Sequence, residues 1–451
     1  MIKTKNPFNN KIIAEYKLHD NDGIGQIISK SAEAFKQWKT ESIGNRTDLL
    51  HKVSLLLIER KQEYAELMTQ EMGKPISQSL AEIEKCSQVC DFYVKNAAYF
   101  LADDLIVTDA KESFISYDPS GTILAIMPWN YPFWQVMRFA APTLTAGNTA
   151  ILKHASNTTG CALAIEQLFL DAGYPKNCFQ TVLIEHDAIE TIIAHETVTG
   201  VTLTGSEKAG RTIATLAGKH LKKSVMELGG NNACIILDDA NLEKHIDTIV
   251  MARMQNAGQS CIAAKRFIVV DAIYDEFVEA FKNRLDQIKS GDPMASETEM
   301  GVMARKDLVD TLEKQVKTSV EKGAKVTYGN TIKGNYFEPT ILEDVKPGMP
   351  AFEEELFGPV AAFIRVANKE EAITVATDSK FGLGTMIFTR DIKAAKKLIL
   401  DIPDGAFFVN EMVKSDVQLP FGGTKASGYG RELSQEGILE FVNKKTVYIK
   451  K

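Results

Sequence analysis

Long apolar runs are missing from this chain. No window holds eighteen consecutive apolar residues, which excludes a membrane-spanning helix from the reading. The stretch Met1 to Pro7 lacks the apolar core of a signal peptide, so a cytoplasmic location is expected. Cysteine is scarce: six residues, at 86, 90, 161, 178, 234 and 261, with no CxxC pair. The only close pair, Cys86 and Cys90, has the i, i+4 spacing of one helix face, and the seven histidines cluster near no cysteine. A disulfide framework and a zinc site are both disfavoured, and no metal is expected. Basic runs are missing too, and the net charge is −7, which removes nucleic acid from the expected partners.

What is present is the composition of an ordinary globular protein, 45% hydrophobic and 25% charged. At 451 residues the chain is too long for one core, and two or three domains are expected. Residues 6–18 read as extended. Helical spacing follows over 24–38, 46–72 and 77–101, with Gly73 and Pro75 stopping the second helix. Residues 113–117 and 122–127 alternate around Pro119, Ser120 and Gly121 and predict a strand pair with a turn.

From there short apolar runs (149–153, 179–184, 200–204 and 224–228) alternate with helical ones (158–172, 187–195 and 207–218). That is the pattern of βαβ units and a parallel sheet, which places ligands at the carboxyl ends of its strands. A second series starts at 233–237, with helix 242–254, strand 266–270 and helices 273–289 and 305–322. Gly229 and Gly230 form the natural joint between the two. Residues 446–449 read as an exposed edge strand, suited to subunit pairing.

Cys261 draws the most notice. It stands on a tight helix-to-strand connection, Gln255 to Ile262, beside Gly258, whose lack of a side chain would let the backbone approach a ligand. Alone, it would pass for one more buried cysteine. Glu227 ends an apolar strand and is followed by two glycines; partial desolvation would raise its pKa toward that of a general base. Its ordinary reading is a strand-end carboxylate paired with a lysine. Asn130 lies between Pro128 and Pro132 in a rigid loop, where a fixed amide N–H suits an oxyanion; a structural Asx turn would look the same. Lys153 closes a strand and can reach a ribose or phosphate. The acid that often binds the ribose 2′-hydroxyl of NAD is missing at Ser156, so a 2′-phosphate is tolerated. Glu355 sits in a sharp acidic turn, Glu353 to Pro359.

Gly205 to Thr212 has the spacing of a P-loop, with Arg211 where lysine is required, and Asp238 and Asp239 end the next apolar strand. A P-loop nucleotide hydrolase is therefore the rival reading. It leaves Cys261, Glu227 and Asn130 without work. The milder reading is a helix N-terminus with small residues facing a pyrophosphate.

Taken together and in this order, Pro128 to Asn130, Lys153, the Gly205–Gly210 turn, Glu227 to Gly230, Gly258 to Cys261 and Glu355 to Pro359 resemble the aldehyde dehydrogenase superfamily. The resemblance covers nearly the whole chain, apart from a longer N-terminal extension that many members carry. It implies an α/β fold: a Rossmann-like cofactor domain (1–103 and 120–229), a catalytic α/β domain (230–428) and an oligomerisation strand arm (104–119 and 429–451).

It further implies NADP or NAD as cofactor, a small aldehyde as substrate, and a homodimer or homotetramer. Cys261 would be the nucleophile, Asn130 and the Cys261 backbone N–H the oxyanion donors, and Glu227 the base that activates water. Lys153 and Glu355 would hold the riboses, Ser206 would face the pyrophosphate, Phe357 would pack near the nicotinamide, and Gly205 and Trp129 would also bind the cofactor.

The segments Gly258 to Arg266 and Val413 to Gly423 resemble short-form succinate-semialdehyde dehydrogenases. On that likeness Arg138 and Ser415 would meet the distal carboxylate, Trp134 would form the wall, and Ser156 would admit NADP. Ala263 stands where many short forms have a second cysteine, so no local disulfide switch is expected. The other readings left open are a CoA-acylating dehydrogenase, which a water-activating Glu227 opposes, and a non-catalytic protein on the same fold.

Overall fold

The run Thr122–Met127 has five of its six residues buried, as a strand covered on both faces of a sheet requires. It lies inside a six-stranded sheet. Across that sheet the order is Gly428–Tyr429, Lys223–Glu227, Val198–Thr204, Thr122–Met127, Thr149–His154 and Phe179–Thr181. All neighbours are parallel except the first, which runs antiparallel to Lys223–Glu227. This computed structural model describes residues 1–450.

After Gly229 and Gly230 the chain enters a seven-stranded sheet. Ala233–Ile236 and Arg266–Val270 lie side by side within it, both wholly buried. Only the edge strand Lys325–Tyr328 is antiparallel. The joint expected at the two glycines is where the chain changes sheet. Helices Ile43–Glu59 and Trp134–Thr145 pack on the long helix Ile76–Phe100, which buries Cys86, Cys90 and Tyr93 in the core that also covers the first sheet. Among the described residues no helix is long and apolar enough to cross a membrane.

Three local expectations change. The helix expected over 46–72 is two, Ile43–Glu59 and Lys61–Met72, broken at Arg60, whose φ of −100° and ψ of 17° leave the helical region. Arg60 turns there to pair with Asp171. The second piece ends where predicted, with Gly73 left-handed at φ +80°.

Residues 113–117 and 122–127 do not pair with each other. Glu112–Pro119 pairs instead with Val442–Ile449, while Thr122–Met127 enters the parallel sheet. A two-stranded pair would have left the apolar second strand exposed on one face. Asn148 Oδ1 accepts from the N–H groups of Ser120 and Gly121 (2.7 and 3.0 Å), fixing the crossing that looked like a turn.

The arm is a three-stranded sheet of Asp104–Leu105, Glu112–Pro119 and Val442–Ile449. Residues 429–441 were expected in it as well. Tyr429 instead ends a short strand of the first sheet, and helix Ser434–Leu439 packs against Trp134–Thr145.

Candidate active site

Parallel strands deliver their carboxyl ends to one rim of the first sheet. Four neighbouring strands end there at Glu227, Thr204, Met127 and His154. Gly205 and Ser206 therefore lie beside the loop that carries Trp129 and Asn130, and Lys153 sits on the next strand. Ser206 caps helix Glu207–Lys219, its hydroxyl accepting from the Ala209 N–H at 3.3 Å. His154 donates from Nε2 to Pro132 O (2.9 Å) while Nδ1 accepts the Ala155 N–H (2.8 Å). That ring therefore pins the far end of the asparagine loop.

Cys261 comes from the second sheet, just before strand Arg266–Val270. Its approach is unusual backbone: Asn256, Ala257 and Gly258 are all left-handed, at φ 54°, 51° and 70°. Left-handed residues without glycine cost roughly 1–3 kcal/mol each and persist only where their surroundings hold them. Here the hold is explicit. Asn256 Nδ2 donates to Asn130 O (2.8 Å), Gln78 Oε1 accepts the Asn256 N–H (2.8 Å), and Gln259 Oε1 accepts the Ala304 N–H (2.9 Å).

Gly258 is needed for a different closeness than expected. A side chain there would strike the Gly358 carbonyl and the Arg253 guanidinium rather than a ligand. Fully buried Arg253 donates to the carbonyls of Ala264, Gly258 and Leu356 (2.9, 2.8 and 3.1 Å) and also to Gly358, clamping the cysteine loop to the Glu355 turn. Lys265 donates to the carbonyls of Ser260 and Cys261 (2.7 Å each) and pairs with Glu355 at 3.1 Å.

Two cavities meet at Cys261. One, of about 180 Å³, is lined by Lys85, Trp134, Arg138, Ser415 and Phe421 among others. The other, of about 360 Å³, is lined by Trp129, Asn130, Gly205, Ser206, Glu355 and Phe357 among others. Its walls suit a dinucleotide: an open helix N-terminus for phosphate, a carboxylate for hydroxyls, and Trp129 edge-on to Phe357 at 5.8 Å. Asn130 is 4% exposed; one Nδ2–H donates to Gln259 O (3.1 Å), which leaves its second N–H and Oδ1 without a protein partner among the described residues.

Burial pushes the Cys261 thiol up to about 11; Lys265 and then Arg138 pull it back. Its partial exposure through the two cavities works against that rise. The thiolate is the reactive form, so slow alkylation of the free protein is expected at neutral pH. The rate of iodoacetamide labelling at Cys261 is expected to climb steadily with pH beyond about 9, and a plateau below about pH 8 would contradict this account.

Glu227 is 2% exposed, has Oε1 free of protein partners among the described residues, and lines neither cavity. Burial, and then the charge of Glu432, hold its carboxyl well above the usual range, against the opposing pull of Arg138 and Arg431. The lysine that the ordinary reading required does not pair with it.

Lys153 and Ser156 also lie outside the larger cavity, Lys153 buried on its strand and Ser156 exposed at the start of a short 3-10 turn. Beside Ser156, both polar atoms of the Asn157 side chain lack a protein partner among the described residues. Arg138 reaches the smaller cavity, but its guanidinium is ion-paired with buried Glu432 and bonded to Thr204 Oγ1 at 3.3 Å.

The P-loop reading fails on placement. The Gly205 turn belongs to the first sheet and the strand before Asp238 to the second, whereas a P-loop and its metal-holding acid need adjoining strands. Arg211 points away and pairs with Glu207 at 2.9 Å, and Asp239 accepts from Thr389 Oγ1 and from the N–H groups of Arg390 and Asp391. Sequence reasoning missed Lys85, Arg253 and Lys265. The signal available for two of them was a cation inside an otherwise apolar helix end (Arg253) and strand approach (Lys265).

The pattern that describes the aldehyde dehydrogenase family matches residues 1–447. The chain is 46% identical over 451 residues to the probable succinate-semialdehyde dehydrogenase (NADP+) of Synechocystis sp., covering 99% of each. It is 42% identical over 430 residues to the succinate semialdehyde dehydrogenase (NAD(P)+) of Escherichia coli, covering 95% of this chain and 93% of that one. The succinic semialdehyde dehydrogenase from Streptococcus pyogenes, solved in complex with NADP+, superposes with a TM-score of 0.97 at 37% identity over the full length of both. This chain belongs to the aldehyde dehydrogenase family.

Proposed function

We propose that the protein oxidises succinate semialdehyde to succinate with NADP or NAD as electron acceptor. The observation that carries this reading is the position of Cys261, at the meeting point of a cavity with cationic and hydroxyl groups and a cavity suited to a dinucleotide. The names of the relatives in Synechocystis, Escherichia coli and Streptococcus pyogenes support the substrate and the cofactor.

A nicotinamide dinucleotide, when bound, supplies the hydride acceptor. The residues of the chain do the rest. The Cys261 thiol gives up its proton to solvent in the adjoining cavity as its sulfur adds to the aldehyde carbon, and the Asn130 amide with the Cys261 N–H holds the oxygen of the thiohemiacetal. After hydride leaves that carbon, Cys261 carries a thioester. Glu227 takes a proton from the attacking water; the C–S bond breaks, the acid departs and the thiol is restored. Glu355, oriented by Lys265 and by the Gly230 N–H at 3.1 Å, is assigned with Lys153 to the riboses, Gly205 and Ser206 to the pyrophosphate, and Trp129 and Phe357 to the nicotinamide end.

The domain division of 1–103 with 120–229 for the cofactor and 230–428 for catalysis belongs to the same proposal. So does a homodimer or homotetramer formed through the arm, where Leu105 and Val107 are 80% and 100% exposed. Six unpaired cysteines accord with a cytoplasmic location.

The test is initial rates of nicotinamide reduction with succinate semialdehyde, propanal and glutarate semialdehyde, each with NADP and with NAD. Preference for the four-carbon semialdehyde is expected; equal rates with plain aldehydes would remove the substrate assignment. Ser156→Glu places a carboxylate where a 2′-phosphate is expected. It should cut kcat/KM for NADP by roughly tenfold or more while leaving NAD largely unaffected, because like charges there repel.

A further inference from the structure

Four cations stand in or beside the wall of the smaller cavity, and three are already matched. Arg138 is paired with Glu432, Lys74 with Glu82, and Lys414 at the rim with Glu411 at 3.2 Å. Glu82 is also taken up by the N–H groups of Phe133 and Trp134 (3.0 and 2.9 Å), so it is not available to a further cation. Lys85, one helical turn beyond Glu82 on Ile76–Phe100, has no carboxylate within ion-pair distance among the described residues. Its ammonium donates to Ser415 Oγ at 2.7 Å and lies 4.3 Å from the centre of the Trp134 ring.

An ammonium with a spare donor, a hydroxyl beside it and an indole wall beneath it make a receptor for a short aliphatic chain ending in a carboxylate. We infer that Lys85 is a specificity-determining cation of this site, binding the distal carboxylate of the substrate together with Ser415. The inference rests on the carboxylated-aldehyde reading above and adds to its charge recognition a residue on a different helix.

Burial, and then the nearby Arg138, pull the Lys85 ammonium down to about 8, against the opposing pull of Cys86, Glu82 and Asp416. Above that pH the lysine loses its proton and its charge. KM for succinate semialdehyde is therefore expected to rise as pH increases through this range, with no matching rise for butanal.

The experiment compares succinate semialdehyde with butanal, which has the same chain length and no charge, in wild type, Lys85→Met, Lys85→Gln and Lys85→Arg. Both neutral variants should lose about 30-fold or more in kcat/KM for the semialdehyde, mainly through KM, while butanal changes by less than about threefold. Lys85→Arg should keep most of the preference, and the alkaline rise in KM should vanish in Lys85→Met. A wild type without preference for the semialdehyde overturns the substrate reading itself. A wild type with preference that Lys85→Met and Lys85→Gln retain overturns the assignment to Lys85 alone.

Discussion

Cys261→Ala is expected to abolish aldehyde-dependent reduction of the dinucleotide, by at least roughly 10⁴-fold, while leaving the fold and dinucleotide binding intact. The loss is this large because every later step runs through the sulfur. Without it there is no thiohemiacetal to give up hydride and no thioester to hydrolyse; what remains is a pocket that binds and polarises an aldehyde. Little stability is at stake. Cys261 is partly exposed and opens onto two cavities, so truncation to alanine removes few packing contacts.

The strained backbone before it is held by Asn256, Gln259, Arg253 and Lys265, none of which bonds to the sulfur. Dinucleotide binding can be followed by quenching of tryptophan fluorescence, since Trp129 lines the larger cavity. A variant that folds, binds NADP and still turns over within about a hundredfold of wild type would remove Cys261 from the mechanism.

Glu227→Gln has the second largest expected effect, and its signature is a change in kinetic shape. Glutamine preserves the size of the side chain and removes its capacity to take a proton. Thiohemiacetal formation and hydride transfer do not need that proton acceptor in the proposed scheme. Each active site should therefore release one equivalent of reduced cofactor in a burst and then stall at the thioester, with steady-state turnover lower by roughly 10²–10⁴-fold. Hydroxylamine, a nucleophile that needs no base, should restore turnover. Coenzyme A should not accelerate the wild type if water is the natural acceptor.

The electrostatics of Glu227 suit this role, which also requires its side chain, outside both cavities here, to turn toward Cys261. A fully buried carboxyl raised first by desolvation and then by Glu432 is a strong proton acceptor once ionised, and Arg138 and Arg431 keep the ionised form accessible. Loss of the burst along with the steady state would assign Glu227 to thiol activation and sink the water-activating role.

Local pattern alone was enough to place most of what these two predictions use. The parallel strands of the first sheet are short apolar runs between helical ones, and their ends fall within a few residues of where alternation puts them. The positions of Glu227, Asn130 and Ser206 at the sheet rim were legible because each ends such a run or follows it within three residues. Cys261 was legible because a helix and a strand bracket it closely. Helix breaks were less legible: nothing in the leucine spacing of 46–72 marks Arg60, whose turn is drawn by Asp171 on a distant helix.

The sequence by itself determined the βαβ alternation, the point where one sheet gives way to the next, and the set of chemical groups at the strand ends. These follow from residue-by-residue periodicity and from backbone limits on glycine and proline, which act over a few residues. The tertiary structure decided which groups are free to act. Arg138 acquired a buried counter-ion, Glu432, from far along the chain, and Lys85 looked like an ordinary helix lysine until Ser415 and Trp134 folded over it.

The pairing of Glu112–Pro119 with Val442–Ile449 was hidden for the same reason. Partner choice between distant elements is settled by burial of whole faces and by the matching of buried charges, and neither quantity exists until the chain is folded.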